Sequence, residues 1–329
     1  MWCNRGVTCE QIRLIVDTDT ASDDAVALLL ACTAEHVSLE AVTVVAGNVP
    51  LAQAVRNALF TMELCGRTDV PVYAGCDRPM QRILETAQDV HGADGMGDVG
   101  LPLPVHTITE GHAVNELVRR INSDPGQFTL VTLGPLTNIA AALQLDPDLL
   151  RKCKRVVSMA CSPDGYGNVS DCAEFNVWAD PDAAKIAFSS ADDLTVVGWN
   201  ISRNDAVMRA DDDVALRAVG TLWSDFVHEI NRAVYRYCVE ISGFDGYDLP
   251  DPIAMACALW PEIIVHAELL PLRIAVGDEA RGASMVDHRL GVPGARSTIV
   301  WKADEAAFKQ RLFEACAKGP QGSLADYRP

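Results

Sequence analysis

Short β-branched runs alternate along the first two thirds of the chain with stretches of helical spacing. Residues 12–16, 39–45, 70–73, 128–133, 155–159 and 194–197 read as strands. Between most of them, residues 25–33, 51–65, 112–121 and 182–188 have helical composition and spacing. Further on, residues 211–240 read as one long helix carrying Trp223, Phe226, Tyr235 and Tyr237, a core-facing or lid helix rather than an aromatic cofactor box. Alternating β and α predicts an α/β protein with a mostly parallel central sheet flanked on both faces by helices.

No internal repeat, low-complexity tract or linker interrupts the pattern, so a Rossmann-like single domain over residues 1–329 is expected, with residues 1–10 and 320–329 as peripheral tails. In such sheets ligands bind outside the carboxyl ends of the strands. The positions just after each strand are polar here: Asp17, Asp19, Asp23 and Asp24 after the first, Gly47 and Asn48 after the second, and Gly134 to Asn138 after the fourth. Asp164, Asn168, Asp171, Glu174 and Asn176 follow the fifth, and Trp199 and Asn200 the sixth.

Composition narrows the function classes. With 49% hydrophobic and 22% charged residues the chain is an ordinary globular one. Its longest apolar stretch, residues 25–32, is far shorter than the about 20 residues a bilayer requires, so no membrane partner is expected. The opening Met1-Trp2-Cys3-Asn4-Arg5-Gly6 lacks the basic start and apolar block of a secretory signal, which makes the cytoplasm the expected location. Eleven cysteines, an odd number without CxxC spacing, read as reduced and structural. A formal net charge of −18 repels a polyanion, so a nucleic-acid polymer is not an expected partner, whereas a neutral nucleoside is unaffected.

The acidic cluster sharpens the picture. Asp17 and Asp19 are two apart at a strand end and project to one side, with Thr18 opposite. Ser22 is a good helix N-cap, which would put Asp23 and Asp24 in a first turn where the helix dipole favours anions. Capping accounts for the second pair and leaves the first without a reason. Four carboxylates in eight residues repel one another unless they diverge, hold protons or share a cation, and a hard divalent cation is the economical answer. Calcium suits such mixed oxygen ligands and magnesium is an alternative; with no His or Cys nearby in sequence, zinc fits poorly.

The segment from Asp17 to Ala27, reading DTDTASDDAVA, resembles the DxDPGxDDAxA signature of the inosine-uridine type nucleoside hydrolases, with Thr20 and Ala21 in place of Pro-Gly. The similarity continues through Val44 to Asn48, His91 to Gly97, Leu133 to Asn138, Asn168, Ala173 to Pro181 and Asp251-Pro252, in the family's order and spacing. It implies a ribonucleoside hydrolase that splits the N-glycosidic bond to ribose and free base. By the same resemblance Asp19, Asp24, Asp251 and the Leu133 carbonyl would ligate Ca²⁺, and Asp19 would be the general base. Asp23, Asn48, Asn168, Glu174 and Asn176 would hold ribose hydroxyls, with the main chain near Met159 lining the sugar site. A homodimer or homotetramer is implied too. Each position also has a structural reading: Asn48 ending a strand, Asn168 in a Gly-Asn turn, Asp251 capping a helix at Pro252.

Many members place a His just before the last metal Asp, where this chain has Pro250, which can neither donate a proton nor stack. His91 is then the first candidate for the leaving-group step, with Tyr247 and Asp248 behind it, and Trp178 and Trp199 are candidates to stack on the base. Two rivals remain. Asp17-Thr18-Asp19-Thr20 also matches the DxDxT motif of haloacid-dehalogenase-type phosphatases, with Asp17 as nucleophile, Mg²⁺ as metal and Thr132 as second motif. A non-catalytic nucleoside- or ribose-binding relative is the other.

Overall fold

In the computed structural model, which describes residues 11–327, the strand-forming runs pair as the alternation predicts. The first half runs β1 (Ile12–Thr18), α1 (Ser22–Thr33), β2 (Val37–Val44), α2 (Leu51–Leu64), β3 (Val72–Ala74), α3 (Gln88–His91), α4 (Ala113–Ser123), β4 (Phe128–Thr132) and α5 (Thr137–Leu145). Next come β5 (Arg155–Met159), α6 (Phe175–Ala179), α7 (Pro181–Ser190), β6 (Leu194–Val197), α8 (Trp199–Asp205) and the two-residue β7 (Val207–Met208). The remainder is α9 (Ala210–Ala218), α10 (Leu222–Ile230), α11 (Arg232–Arg236), β8 (Tyr247–Asp248), α12 (Pro250–Leu259), β9 (Ile264–Ile274), β10 (Ser284–Val286), β11 (Arg296–Ala303) and α13 (Glu305–Ala317).

Nine strands form one sheet in the order β10-β9-β11-β6-β5-β4-β1-β2-β3. From β3 to β6 every pair is parallel, and the chain order reverses between β1 and β4. That reversal opens a crevice at the carboxyl ends of β1 and β4, the place where such sheets take ligands. Period-two alternation sends Leu14 and Val16 into one apolar layer, beneath α1, α2 and α12, and Ile15 into the other, beneath α4, α5 and α7.

The last third departs from the sequence expectation. β9, not foreseen, pairs antiparallel with β10 and β11, while β11 returns parallel to β6. The expected long helix over 211–240 is instead α9, α10, α11 and a π turn over Tyr237–Ile241. Gly220 takes φ +72, which stops α9, and the Thr221 hydroxyl then accepts from the Ser224 N–H to start α10 afresh. Of its aromatics, Phe226 is buried and the Trp223 indole donates to the Leu64 carbonyl, while Tyr237 turns to a cavity.

Smaller corrections follow the same logic. Ser22 is the first helical residue rather than the cap, which is Ala21, and Asp251 lies in the first turn of a helix that begins at Pro250. The described cysteines are free thiols. Residues 320–327 lie along α10, with the Leu324 N–H on Asp225 and the Tyr327 ring 5.7 Å from Phe60. The expected tail over residues 1–10 falls outside the described residues. No helix among the described residues is long and apolar enough to cross a membrane.

Candidate active site

The crevice is framed by a buried polar lattice. Asp17 at the end of β1 accepts from the Thr43 hydroxyl at 2.5 Å and from the Asn138 amide at 2.9 Å. The same Asn138 donates to the Val44 carbonyl and accepts from the Cys76 N–H, so one side chain on α5 ties the exits of β1, β2 and β3 together. Burial raises the Asp17 carboxyl to about 7. Asp180, at the N-cap of α7, takes the Thr137 hydroxyl and the Met80 N–H and fixes the turn after β4 from the other side.

Asp19 comes next on the chain and has no exposed surface. One oxygen accepts from the Asn48 N–H at 2.6 Å, and the other, Oδ1, has no partner. Gly47 and Gly134 press on this carboxylate: a Cβ on Gly47 would lie 2.1 Å from Asp19 Oδ2, so the strand exits can close around it only without a side chain there. Helix α1 then sets Asp24, which accepts from the Thr18 hydroxyl at 2.5 Å and the Ala21 N–H at 2.8 Å. Asp23, Asp24 and Asp251 converge so that one oxygen from each lies within 4.8 Å of the others, all buried. The carboxyls of Asp19 and Asp251 are raised by burial and by neighbouring charge, and Asp23 and Asp24 rise to about 6 for lack of water.

Such a cluster costs too much to bury unneutralised. With unpartnered oxygens on Asp19 and Asp23 and an all-oxygen donor set, the residues fit a hard divalent cation. The carbonyl of Leu133 faces the same space and accepts from the Asn176 amide at 2.5 Å, which leaves its second lone pair. Asn176 also reaches the Met159 carbonyl, and Glu174 caps α6 by accepting from Asn176 N–H at 2.6 Å and from Cys161 N–H at 2.9 Å. Burial raises Glu174 to about 7.

Above this floor lies a cavity of about 400 Å³. Asp23, Asn48, Leu133, Met159, Asn168, Glu174, Asn176 and Asp251 line it together with His91, Trp178 and Trp199, while Asp19 and Asp24 lie beneath its surface. Asn168 differs from its companions in standing on an exposed turn. His91 Nδ1 meets the Ser22 hydroxyl at 2.9 Å and lies 3.8 Å from Asp23; burial lowers its imidazole to about 4. One face of Trp178 is stacked by the Arg281 guanidinium, 3.7 Å from the ring centroid, and Arg281 in turn pairs with Glu85.

Two expectations fail on geometry. Tyr247, a base-side candidate, is buried against Tyr235 away from the cavity, and its neighbour Asp248 lines the cavity instead, because consecutive strand residues face opposite sides. Asp17, the nucleophile of the phosphatase reading, is clamped by Thr43 and Asn138 off the cavity wall, and Thr132 is spent on Ser158 at 2.7 Å. Ser22, Asn138 and Asp180 were not foreseen as positioning residues. Polar residues just after a strand exit were the available signal for Ser22 and Asn138, and an Asp before Pro181 at a helix start was the signal for Asp180.

An acidic, enclosed pocket at the strand-order reversal defines a class: an α/β enzyme built to hold a small polar ligand on a carboxylate floor. Over residues 14–310 the chain matches the family model described as inosine-uridine preferring nucleoside hydrolase. It is 34% identical over 270 residues to uridine nucleosidase 1 of Arabidopsis thaliana, spanning 80% of each chain. To the pyrimidine-specific ribonucleoside hydrolase RihA of an Enterobacter species it is 34% identical over 307 residues, 93% of this chain and 97% of that one. Among solved structures, a plant nucleoside hydrolase superposes with a TM-score of 0.88 at 28% identity, covering 93% of this chain and 99% of its own. A purine-preferring ribonucleoside hydrolase from Gardnerella vaginalis gives 0.85 at 28% identity, with coverage of 93% and 98%. The chain belongs to the inosine-uridine preferring nucleoside hydrolase family and is a ribonucleoside hydrolase, an enzyme acting on N-glycosyl bonds.

Proposed function

We propose that this enzyme hydrolyses ribonucleosides to ribose and free base with Ca²⁺ held by Asp19, Asp24, Asp251 and the Leu133 carbonyl, and with Asp19 as general base. The observation that carries the reading is the convergence of buried carboxylates from α1 and α12, remote in sequence, within 4.8 Å on one cavity wall. That group is Asp23, Asp24 and Asp251; Asp19 lies outside it but feels the charges of Asp24 and Asp23, and the unpartnered Oδ1 of Asp23 suits a ribose hydroxyl. Bound there, the cation supplies a Lewis-acidic centre that lowers the pKa of water and grips a vicinal diol.

Asp19 takes the proton of the attacking water with its free oxygen, while Asn48 N–H holds the other. Asn48, Asn168, Glu174 and Asn176 hold the sugar hydroxyls, and the main chain at Met159 closes beneath the ring. A carboxylate-rich floor stabilises the positive charge that develops at the anomeric carbon as the N-glycosidic bond stretches. His91, neutral and oriented by Ser22, offers a hydrogen bond on the base side with Trp178 and Trp199. A homodimer or homotetramer working in the cytoplasm completes the proposal.

Incubating the protein with calcium and a panel of ribo- and deoxyribonucleosides, with reducing sugar as readout, tests it. Ribose release that is lost with chelator, restored by calcium and much weaker for deoxyribonucleosides is expected. Binding without release would leave a nucleoside-binding protein, and release indifferent to both chelator and the 2′-hydroxyl would remove the assigned floor.

A further inference from the structure

Breaking the bond between C1′ and a base nitrogen leaves the electron pair on the base, so a proton delivered to the base as it departs lowers the barrier. Pro250 lines the cavity and has none to give. His91 spends Nδ1 on Ser22, and burial keeps its ring neutral above about 4. Glu85 and Asp89 stand exposed at the rim.

Asp248 is placed differently. It follows Tyr247 on β8, and pairing of β8 with β7 turns its carboxyl into the cavity beside Pro250 and Trp199. The Ser202 hydroxyl of α8 donates to one oxygen, and Cys238 of the π turn sits 4.0 Å from the other. We propose that Asp248 is the general acid of this nucleoside hydrolase, delivering its carboxyl proton to the departing base from the position next to Pro250. The proposal rests on the hydrolase reading above.

The step balances. As the C1′–N bond breaks, its electron pair passes to the base nitrogen and the Asp248 proton passes to the base. Water oxygen bonds C1′ and gives its proton to Asp19, and exchange with solvent returns both carboxyls to their starting states. Nothing is oxidised or reduced. Burial, helped by the charge of Asp23 on α1, raises the Asp248 carboxyl to about 6, while the Ser202 hydroxyl works against the rise. Cys238 of the π turn lies against it, and the same cavity is lined by Asp23 of α1, Tyr237 of the π turn, Asp251 of α12, His91 and Asp89 of α3, Glu85 and Glu174.

The test compares uridine and inosine with p-nitrophenyl riboside, whose leaving group departs as a stable anion and needs no proton. Asp248→Asn, close in shape, is expected to lower kcat on both nucleosides roughly 10²- to 10³-fold and to leave the activated substrate within a few-fold of wild type. Wild-type kcat on uridine should fall as pH rises past about 6, a limb absent with p-nitrophenyl riboside. Ser202→Ala removes a hydrogen bond that favours the charged carboxylate and so should move that limb upward. Equal losses on all substrates, no loss on any, or a limb unmoved by both variants would overturn the assignment of Asp248. Wild type that cleaves none of the three compounds would instead overturn the hydrolase reading itself.

Discussion

The two ends of the cavity are built by different means. At the proposed sugar end, Asp17, Asp19, Asn48, Leu133 and Asn138 sit at the exits of three adjacent parallel strands, β2, β1 and β4, and Asp17, Asp19 and Asn138 are each tied to a neighbouring strand or loop by hydrogen bonds. At the base end, the wall comes from short or irregular pieces: α3, the π turn over Tyr237–Ile241, the two-residue β8 and the exposed Phe244. The contrast teaches that the chemistry common to all nucleosides is fixed by the sheet, while the part that must tell bases apart is carried by segments that can change without disturbing it.

The largest expected effect tests the sugar end. Asp19→Ala should lower kcat by at least about 10³-fold with little change in fold, because it removes the proton acceptor and a cation ligand together; steady-state kinetics with calcium present checks this. Asn138→Ala should act on stability first. It strips the Asp17 carboxylate of its amide donor and frees the Cys76 N–H and Val44 carbonyl, at a cost of about 2–4 kcal/mol, to be read from denaturant unfolding. A cost below half of the lower figure would mean that the sugar end is less tightly framed than its hydrogen bonds imply.

At the base end the effects should be smaller and depend on the substrate. Trp199→Ala should raise KM by about 10-fold for the bases it stacks on, with kcat/KM ratios between uridine and inosine changing as well. Trp178, already stacked by Arg281, has less freedom to contribute. Phe244→Ala, at the exposed rim, should alter KM by no more than a few-fold. If Trp199→Ala or Phe244→Ala instead lowered kcat uniformly on every nucleoside, the division between the two ends would not hold.

The sequence exposed these ends unequally. Strand runs with β-branched residues and the polar positions following them place Asp19, Asp24, Asn48, Glu174 and Asn176 at one end of the sheet, since strand exits in a parallel sheet converge by geometry. Asp251 needed the resemblance, because nothing local brings α12 to α1. The sheet extension through β9 to β11 escaped, as β9 mixes exposed Val265, His266, Glu268 and Leu269 with buried Leu270 and Leu272 and lacks a clean period. Tyr247 and Asp248 could not be told apart: which faces the cavity is decided by pairing with Val207 and Met208, a long-range contact two residues wide. The break at Gly220 was legible in its Gly-Thr stop and start signals, yet the apolar periodicity on either side outweighed them.

Exposure along the wall has one more consequence. The lining residues open to solvent, Glu85, Asp89, Asn168, Val169, Ser242 and Phe244, belong to three separate segments of the chain, while the carboxylates of the floor are buried. With the proposed floor holding the sugar, a nucleoside would enter sugar first and, after cleavage, the base would stand between ribose and the way out, so that the pentose would be the last to leave.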